Sequence, residues 1–318
     1  MPDHLLRQED LRDIEKTLYE VRKAELVARQ LVKVNTSYAP YASVISYKWY
    51  DHAGAARIRA GGASAKDLPM IGERGGMNEH RVYNIEMGIA YEAHELLMID
   101  ALRNSKGPSV SLDTLRVAGA RRAVAEKENR LFFNGDALYG IRGLLNKDGI
   151  NQEAVNPNGT LNGATTNLEK RLWKNKSPIQ IIEDLAAAKS IVERDGIFTA
   201  TTLVLPTSVK EKTILPLSDS EPMTVLRWLR DAEVYFQKVV FTSALNRENT
   251  GAASDCFVVF DDAEDVIELA TPADLRLTTP VYDSIGNTEM AAVLRTAGCL
   301  LRYPSAVYVG TDIANTVD

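Results

Sequence analysis

The sequence predicts an α+β chain, either two globular lobes or one lobe carrying long excursions, and three observations lead there. A helical stripe opens the chain and a longer one crosses residues 112–133. Period-two runs flank a stretch rich in Gly and Arg at residues 51–80, and from residue 177 onward helix and strand signals alternate. At 318 residues the chain exceeds one typical domain.

The chain carries 37 Lys and Arg against 43 Asp and Glu, a formal net charge of −6, and is 25% charged and 45% hydrophobic. That profile belongs to a folded soluble protein and excludes a disordered polyanion or a fibrous chain. A nucleic-acid-binding face needs clustered Lys and Arg to neutralise phosphates, so any contact with DNA is expected to be non-adhesive. Cys256 and Cys299 stand far apart in no metal-ligand spacing, which argues against a disulfide framework or a zinc site and for a reducing compartment. Asp3, Glu9 and Asp10 stand where a signal peptide carries its apolar core, and no run approaches the roughly 18 apolar residues of a membrane span. Export by that route and anchoring in a bilayer are therefore not expected.

Leu11, Ile14, Leu18, Val21, Ala24, Ala28 and Leu31 recur at spacings of three and four, predicting one amphipathic helix over residues 9–33. With no helix next to it in sequence, its stripe docks either on its own core or on a neighbour. Ile45, Tyr47 and Trp49, and then Tyr83, Ile85, Met87, Ile89 and Tyr91, alternate with polar or small residues and predict two long antiparallel strands. The 51–80 stretch between them holds Gly54, Gly61, Gly62, Gly72, Gly75 and Gly76 with Arg57, Arg59 and Arg74. A connection of that length without a core of its own is disordered or functional, and it reads as a projecting β-arm ordered by touching another molecule.

A short helix is expected at Glu92–Arg103, then a long one at Leu112–Phe133 with Ser111 as N-cap and small residues at Ala118, Gly119, Ala120, Ala123 and Ala125. It ends at Asn134-Gly135, before a sharp turn with Gly140 and Gly143. Residues 147–176 read as loop. Ser177-Pro178-Ile179-Gln180 is a capping box with Pro at the first helical position, opening a helix that runs to Gly196. Strands follow at Thr201–Leu205, Val239–Thr242 and Cys256–Phe260, then a long one at Glu289–Leu301 and a short one at Val307–Val309.

The search for reaction chemistry finds little. His94-Glu95 lacks the second His of an HExxH helix. His52 and His80 flank the arm and could meet across it, but a zinc site needs three or four converging ligands, so a solvated or interface role is the better reading. Gly61-Gly62 and Gly75-Gly76 lack the spacing of a phosphate cradle, no Gly-x-Ser-x-Gly elbow exists, and Asp261, Asp262, Glu264 and Asp265 read as a solvated turn. These absences move the expectation toward a structural or assembly protein with no catalytic residue, cofactor or metal.

The order of elements, with Arg121–Asn146 as its most telling stretch, resembles the major capsid proteins of tailed bacteriophages, the Hong Kong 97 fold shared with encapsulin shells. There the helix runs into Leu131-Phe132-Phe133-Asn134-Gly135-Asp136 and then Tyr139-Gly140-Ile141-Arg142-Gly143-Leu144-Leu145-Asn146. Arg302-Tyr303-Pro304-Ser305-Ala306, after a long strand, is similar to the family's closing segment. The resemblance is to a phage subgroup near the encapsulins. It implies an N-terminal arm at 1–43, an extended β-hairpin E-loop at 44–91, a peripheral domain at 92–150 and 273–304 with spine helix 112–133, and an α/β axial domain at 151–272 and 305–318.

It also implies pentamers and hexamers of this chain in an icosahedral head around double-stranded DNA, with a portal protein and no membrane. Trp49, Arg57, Arg59, Met70, Arg74 and Met77 would be the E-loop's inter-subunit contacts, with Tyr47 and Tyr83 as further apolar anchors. Leu11, Ile14 and Leu18 would be those of the N-arm, and Gly135, Gly140 and Gly143 would form the spine-helix turn. Because the arm helix starts close to Met1, a separate scaffold or none is expected, without N-terminal cleavage. Some relatives crosslink through a Lys–Asn isopeptide; Lys48, Lys66, Asn287 and Asn315 are the residues available, and non-covalent maturation or external decoration (cement) proteins are expected. The alternatives are an encapsulin-type shell around an enzyme cargo and, from another class, a metal-dependent or α/β hydrolase using His80, His94 and Glu95.

Overall fold

The structure is a computed structural model that describes residues 24–56, 70–97, 112–218, 221–231 and 235–314. The predicted arm residues Leu11, Ile14 and Leu18, the loop residues Arg57 and Arg59, and the N-cap Ser111 lie outside them. The chain opens with α1 (Ala28–Leu31) and β1 (Val34–Asn35), then β2 (Val44–Ala53), β3 (Gly72–Arg81), β4 (Tyr83–Tyr91) and α2 (residues 93–97). Next come α3 (Leu112–Asn134), the short strands β5 (Gly135–Asp136) and β6 (Ile141–Arg142), β7 (Asn151–Ala154), α4 (Asn167–Arg171), α5 (Pro178–Val192), β8 (Thr202–Pro206) and α6 (Lys210–Ile214). After these lie β9 (Pro216–Ser218), β10 (Glu221–Thr224), α7 (Val225–Asp231), β11 (Lys238–Thr242), α8 (Arg247–Thr250), β12 (Asp255–Phe260) and β13 (Ile267–Ala270). The last are β14 (Ala273–Leu277), β15 (Val281–Tyr282), β16 (Thr288–Thr296), β17 (Gly298–Leu301) and β18 (Val307–Ala314).

The chain divides into two compact units. The smaller comprises residues 1–26, 86–127 and 275–293. In it, Arg116 holds Glu95 through two bonds of 2.8 and 2.7 Å, donates to Ala90 O at 3.1 Å, and lies 5.1 Å over the Tyr91 ring. That bidentate pair ties α3 to α2. Asp283 accepts from the N–H groups of Ile285 and Asn287, and Asn287 in turn accepts from Ala93 N–H at 3.0 Å, so this Asn is engaged within its own subunit.

The larger unit, residues 27–85, 128–274 and 294–318, is built on a five-stranded sheet in the order β11-β8-β12-β18-β7. Its β12 is buried along its whole length, and the period of two sorts its side chains onto two cores. Cys256, Val258 and Phe260 join Val204, Val307 and Val309 on one face, where Phe132, Phe133, Leu31, Leu269 and Leu301 also pack. Phe257 and Val259 join Leu203, Leu205 and Tyr308 on the other, under Trp173, Ile181, Leu185 and Leu229. Gly310 in β18 is set by this packing, because a Cβ there would lie 2.1 Å from the Phe257 ring.

The α5 capping box forms as predicted: Ser177 Oγ accepts from Gln180 N–H and Gln180 Oε1 from Ser177 N–H. The stripe also buries a charge that no local sequence signal marks. Asp184 Oδ2 accepts from Lys176 Nζ at 2.6 Å and from Trp173 Nε1 at 3.0 Å, with both charged side chains fully buried. Such a pair is tolerated in a core because the two charges neutralise each other and Lys176 also donates to Asn156 O at 2.6 Å, although Asp184 Oδ1 makes no hydrogen bond among the described residues.

Several expectations are corrected. Helix continuity to residue 33 fails: residues 24–27 are not helical, and Asn129 Oδ1 accepts from Val27 and Ala28 N–H, starting a single turn there. β2 pairs with β3, not with the 83–91 strand, which pairs with β16 instead. His52 and His80 do not meet, since His52 stands opposite Glu73 and His80 opposite Ile45. The 147–176 loop contains β7 and α4. The strand expected over 289–301 breaks between β16 and β17, where Gly298 takes φ of 72° against the Leu131 side chain.

Candidate assembly interface

The ten-residue strands of the β2–β3 hairpin pair in register from Val44↔Arg81 to Ala53↔Gly72. Beyond its first turns both faces meet solvent, which is why the sequence shows no alternation in β3. One face carries Ile45, Tyr47, Trp49 and Asp51 opposite His80, Asn78, Gly76 and Arg74. The Trp49 indole lies over Gly76, where a Cβ would come within 2.7 Å of the ring. Arg74 therefore stands opposite Asp51 of its own chain. Apolar groups remain uncovered: Trp49 is 45% exposed, Met77 54% and Met70 84%. Tyr50 and Ile71, not singled out from sequence, are exposed as well; Tyr50 lies on the opposite face from Trp49, a position that an alternation rule assigns to polar residues.

The hairpin base is anchored. Ile45 is buried with Ala270, Ala297 and Leu300, and Tyr38, Tyr47 and Val82 pack around them. Arg295 donates to Ala42 O at 2.9 Å and to Pro40 O at 2.5 Å, fixing the entry to β2. His80 stacks on Tyr47 with ring centroids 5.9 Å apart, and burial, then the charges of Lys147 and Arg302, pull its pKa down to about 4. Tyr38 donates to Glu268, which also accepts from Arg302 at 2.8 Å and Asn35 at 2.9 Å; burial, then that bond, pushes the phenol up to about 12.

The N-terminal segment is held through its first described turn. Arg29 bonds Glu128 at 2.7 Å and Asp274 at 2.7 Å, and Lys238 donates to the α1 carbonyls of Gln30 and Leu31. At the C-terminal end of α3, Leu144 N–H donates to Phe132 O at 2.8 Å, Leu145 N–H to Phe133 O at 2.9 Å and Asn146 Nδ2 to Asn134 O at 2.8 Å. The carbonyls that a helix end leaves orphaned are thereby satisfied. Gly135 (φ 70°) and Gly143 sit in backbone contact, since a Cβ on either would approach another chain atom to 2.2 or 2.4 Å; Gly140 (φ 67°) is needed for its conformation alone.

Among the described residues no group of three or more His, Cys, Asp or Glu is placed to hold a metal, and no helix is long and apolar enough to cross a membrane. Cys256 and Cys299 are free and buried, and burial pushes both thiols up to about 12, where they are unreactive.

A family model described as "Major capsid protein" matches residues 54–313. No curated protein matches. Among solved structures, the chain is similar to the capsid of Myoviridae phage XM1, at 16% identity over 98% of this chain and 99% of that one, with a TM-score of 0.78. It is also similar to the capsid of an empty GTA particle (14%, covering 95% of each chain, TM-score 0.60). A virus-like particle from Pyrococcus furiosus matches at 11%, over 87% of this chain and 88% of that one, with a TM-score of 0.52. At these identities the likeness establishes the shared fold.

Proposed function

The chain belongs to the major capsid protein family, and from that premise we propose that its β2–β3 hairpin and N-terminal segment are the inter-subunit clasps of the phage head shell that it forms. The fold is that of Hong Kong 97-like capsids. The observation that carries the reading is a two-stranded ribbon exposing Trp49, Tyr50, Met70, Ile71 and Met77 with no core of its own. Such a ribbon is marginal in water and gains order by burying those groups on a neighbour. In this reading residues 44–91 act as the E-loop, 1–43 as the arm, 92–150 and 273–304 as the peripheral domain, and 151–272 with 305–318 as the axial domain.

The shell is assembled from pentamers and hexamers in the host cytoplasm, encloses double-stranded DNA through a portal vertex, and performs no catalysis. Its net charge of −6 suits a wall that holds DNA without adhering to it. Electron microscopy of the purified protein tests the reading: closed, uniform shells are expected. A protein that stays monomeric, with or without the scaffold of its phage, would sink it.

A further inference from the structure

A cavity of about 590 Å³ opens at the hairpin base, of the size that receives a ligand group. Its walls come from the hairpin (Tyr47, His80, and the exposed Glu79 and Arg81), the turn after α3 (Arg142, Lys147, Asp148) and the end of β17 (Arg302). Two of its cations are already matched: Arg142 pairs with Asp148, and Arg302 with Glu268 behind the wall. Lys147 is different. Its ammonium is half-buried and donates to the Cys299 carbonyl oxygen at 3.1 Å, and among the described residues it has no carboxylate within ion-pair distance. Burial is the largest influence on it and lowers its pKa.

Two neutral donors stand beside it. Tyr47 Oη accepts from Asn78 Nδ2 at 3.0 Å, which leaves its O–H to donate, and His80 has no hydrogen-bond partner among the described residues. An unmatched ammonium, a phenol O–H and an imidazole N–H around one cavity call for a single anionic acceptor.

We propose that this cavity receives an Asp or Glu carboxylate from a second copy of the chain, so that Lys147 becomes the cationic half of an inter-subunit ion pair at the foot of the hairpin. The inference rests on the self-assembly proposed above. It favours a neighbour's side chain over a free anion because the chain carries more acidic than basic residues, 43 against 37, and a shell presents them at high effective concentration.

Zero-length coupling tests it. Shells are first confirmed by electron microscopy, then treated with a carbodiimide, which activates a carboxylate so that the Lys147 amine displaces the urea and forms an amide. A denaturing gel should show dimers whose linking peptide contains Lys147. Lys147→Arg shells should form yet lose that dimer. Lys147→Met subunits, which keep the apolar stem packed, should fold but assemble with a critical concentration raised about ten-fold. Wild-type shells lacking the Lys147 dimer, or showing only the internal link to Asp148, would overturn the inference while leaving the shell function intact; absence of shells would remove both. Protection of Lys147 from acetylation by inorganic phosphate in free subunits, equal to that in shells, would assign the cavity to a free anion and overturn it too.

Discussion

His80 makes the hairpin base sensitive to acid. Its folded-state pKa of about 4 lies below its ordinary value of 6.5, so between these values the unfolded chain binds a proton that the folded chain refuses. Stability is then full above the unfolded value, falls as pH drops through that window, and levels below the folded value. After solvent screening at a half-buried site the loss is about 1–2 kcal/mol. The physical cause is first the burial of the imidazole, which disfavours its charged form, and then the neighbouring charges of Lys147 and Arg302. His80→Phe keeps a ring stacked on Tyr47 and removes the proton site. Urea denaturation from pH 7 to 4 should show the wild type losing this increment relative to the variant; parallel pH profiles would mean that His80 contributes nothing.

At the scale of elements, the α3 turn and the β2–β3 hairpin behave in opposite ways. The turn is fixed by backbone contact, so Gly135→Ala and Gly143→Ala should each cost about 3 kcal/mol or more, whereas Gly140→Ala meets no atom and should cost about 1 kcal/mol for its φ alone. Equal losses at Gly135 and Gly140 would show that the contact is relieved by a backbone shift. The hairpin contributes little to its own subunit beyond its base of Ile45, Tyr47 and His80, so replacing residues 49–76 by a two-residue Asn-Gly turn between Lys48 and Met77, which are register partners, should leave the subunit's melting temperature nearly unchanged while abolishing shells. Loss of the folded subunit would contradict a projecting arm. The same contrast explains what was legible in sequence. α5 carried its capping box, α3 its length and its Phe132-Phe133-Gly135 ending, and β8 and β12 their apolar runs, because each signal is local. β3 was hidden because a ribbon solvated on both faces has no reason to alternate. The partner of β4 is not local, because the match to β16 joins residues far apart in the chain, and the Lys147 cavity has no sequence signal because Tyr47, His80, Lys147 and Arg302 converge only in the folded unit.

For the whole molecule, the net charge of −6 sets how assembly responds to salt. Copies of like net charge repel when a shell brings them together, and that repulsion acts over distances comparable with the Debye length, about 10 Å at 0.1 M salt. Trp49, Tyr50, Ile71 and Met77 are exposed in the subunit, and their burial in the proposed clasp would not be weakened by salt, while the proposed pair at Lys147 would be screened less than exposed charges are. The long-range term is therefore the one that salt changes most, and screening it favours the shell. Light scattering of purified subunits should show the critical concentration for assembly falling as NaCl rises from about 0.05 to 0.5 M, the range over which the Debye length shrinks most usefully. A critical concentration that rises with salt would mean that exposed opposite charges, such as Arg74 and its counterparts, hold the copies together, and that the hairpin's apolar groups are not the dominant contact.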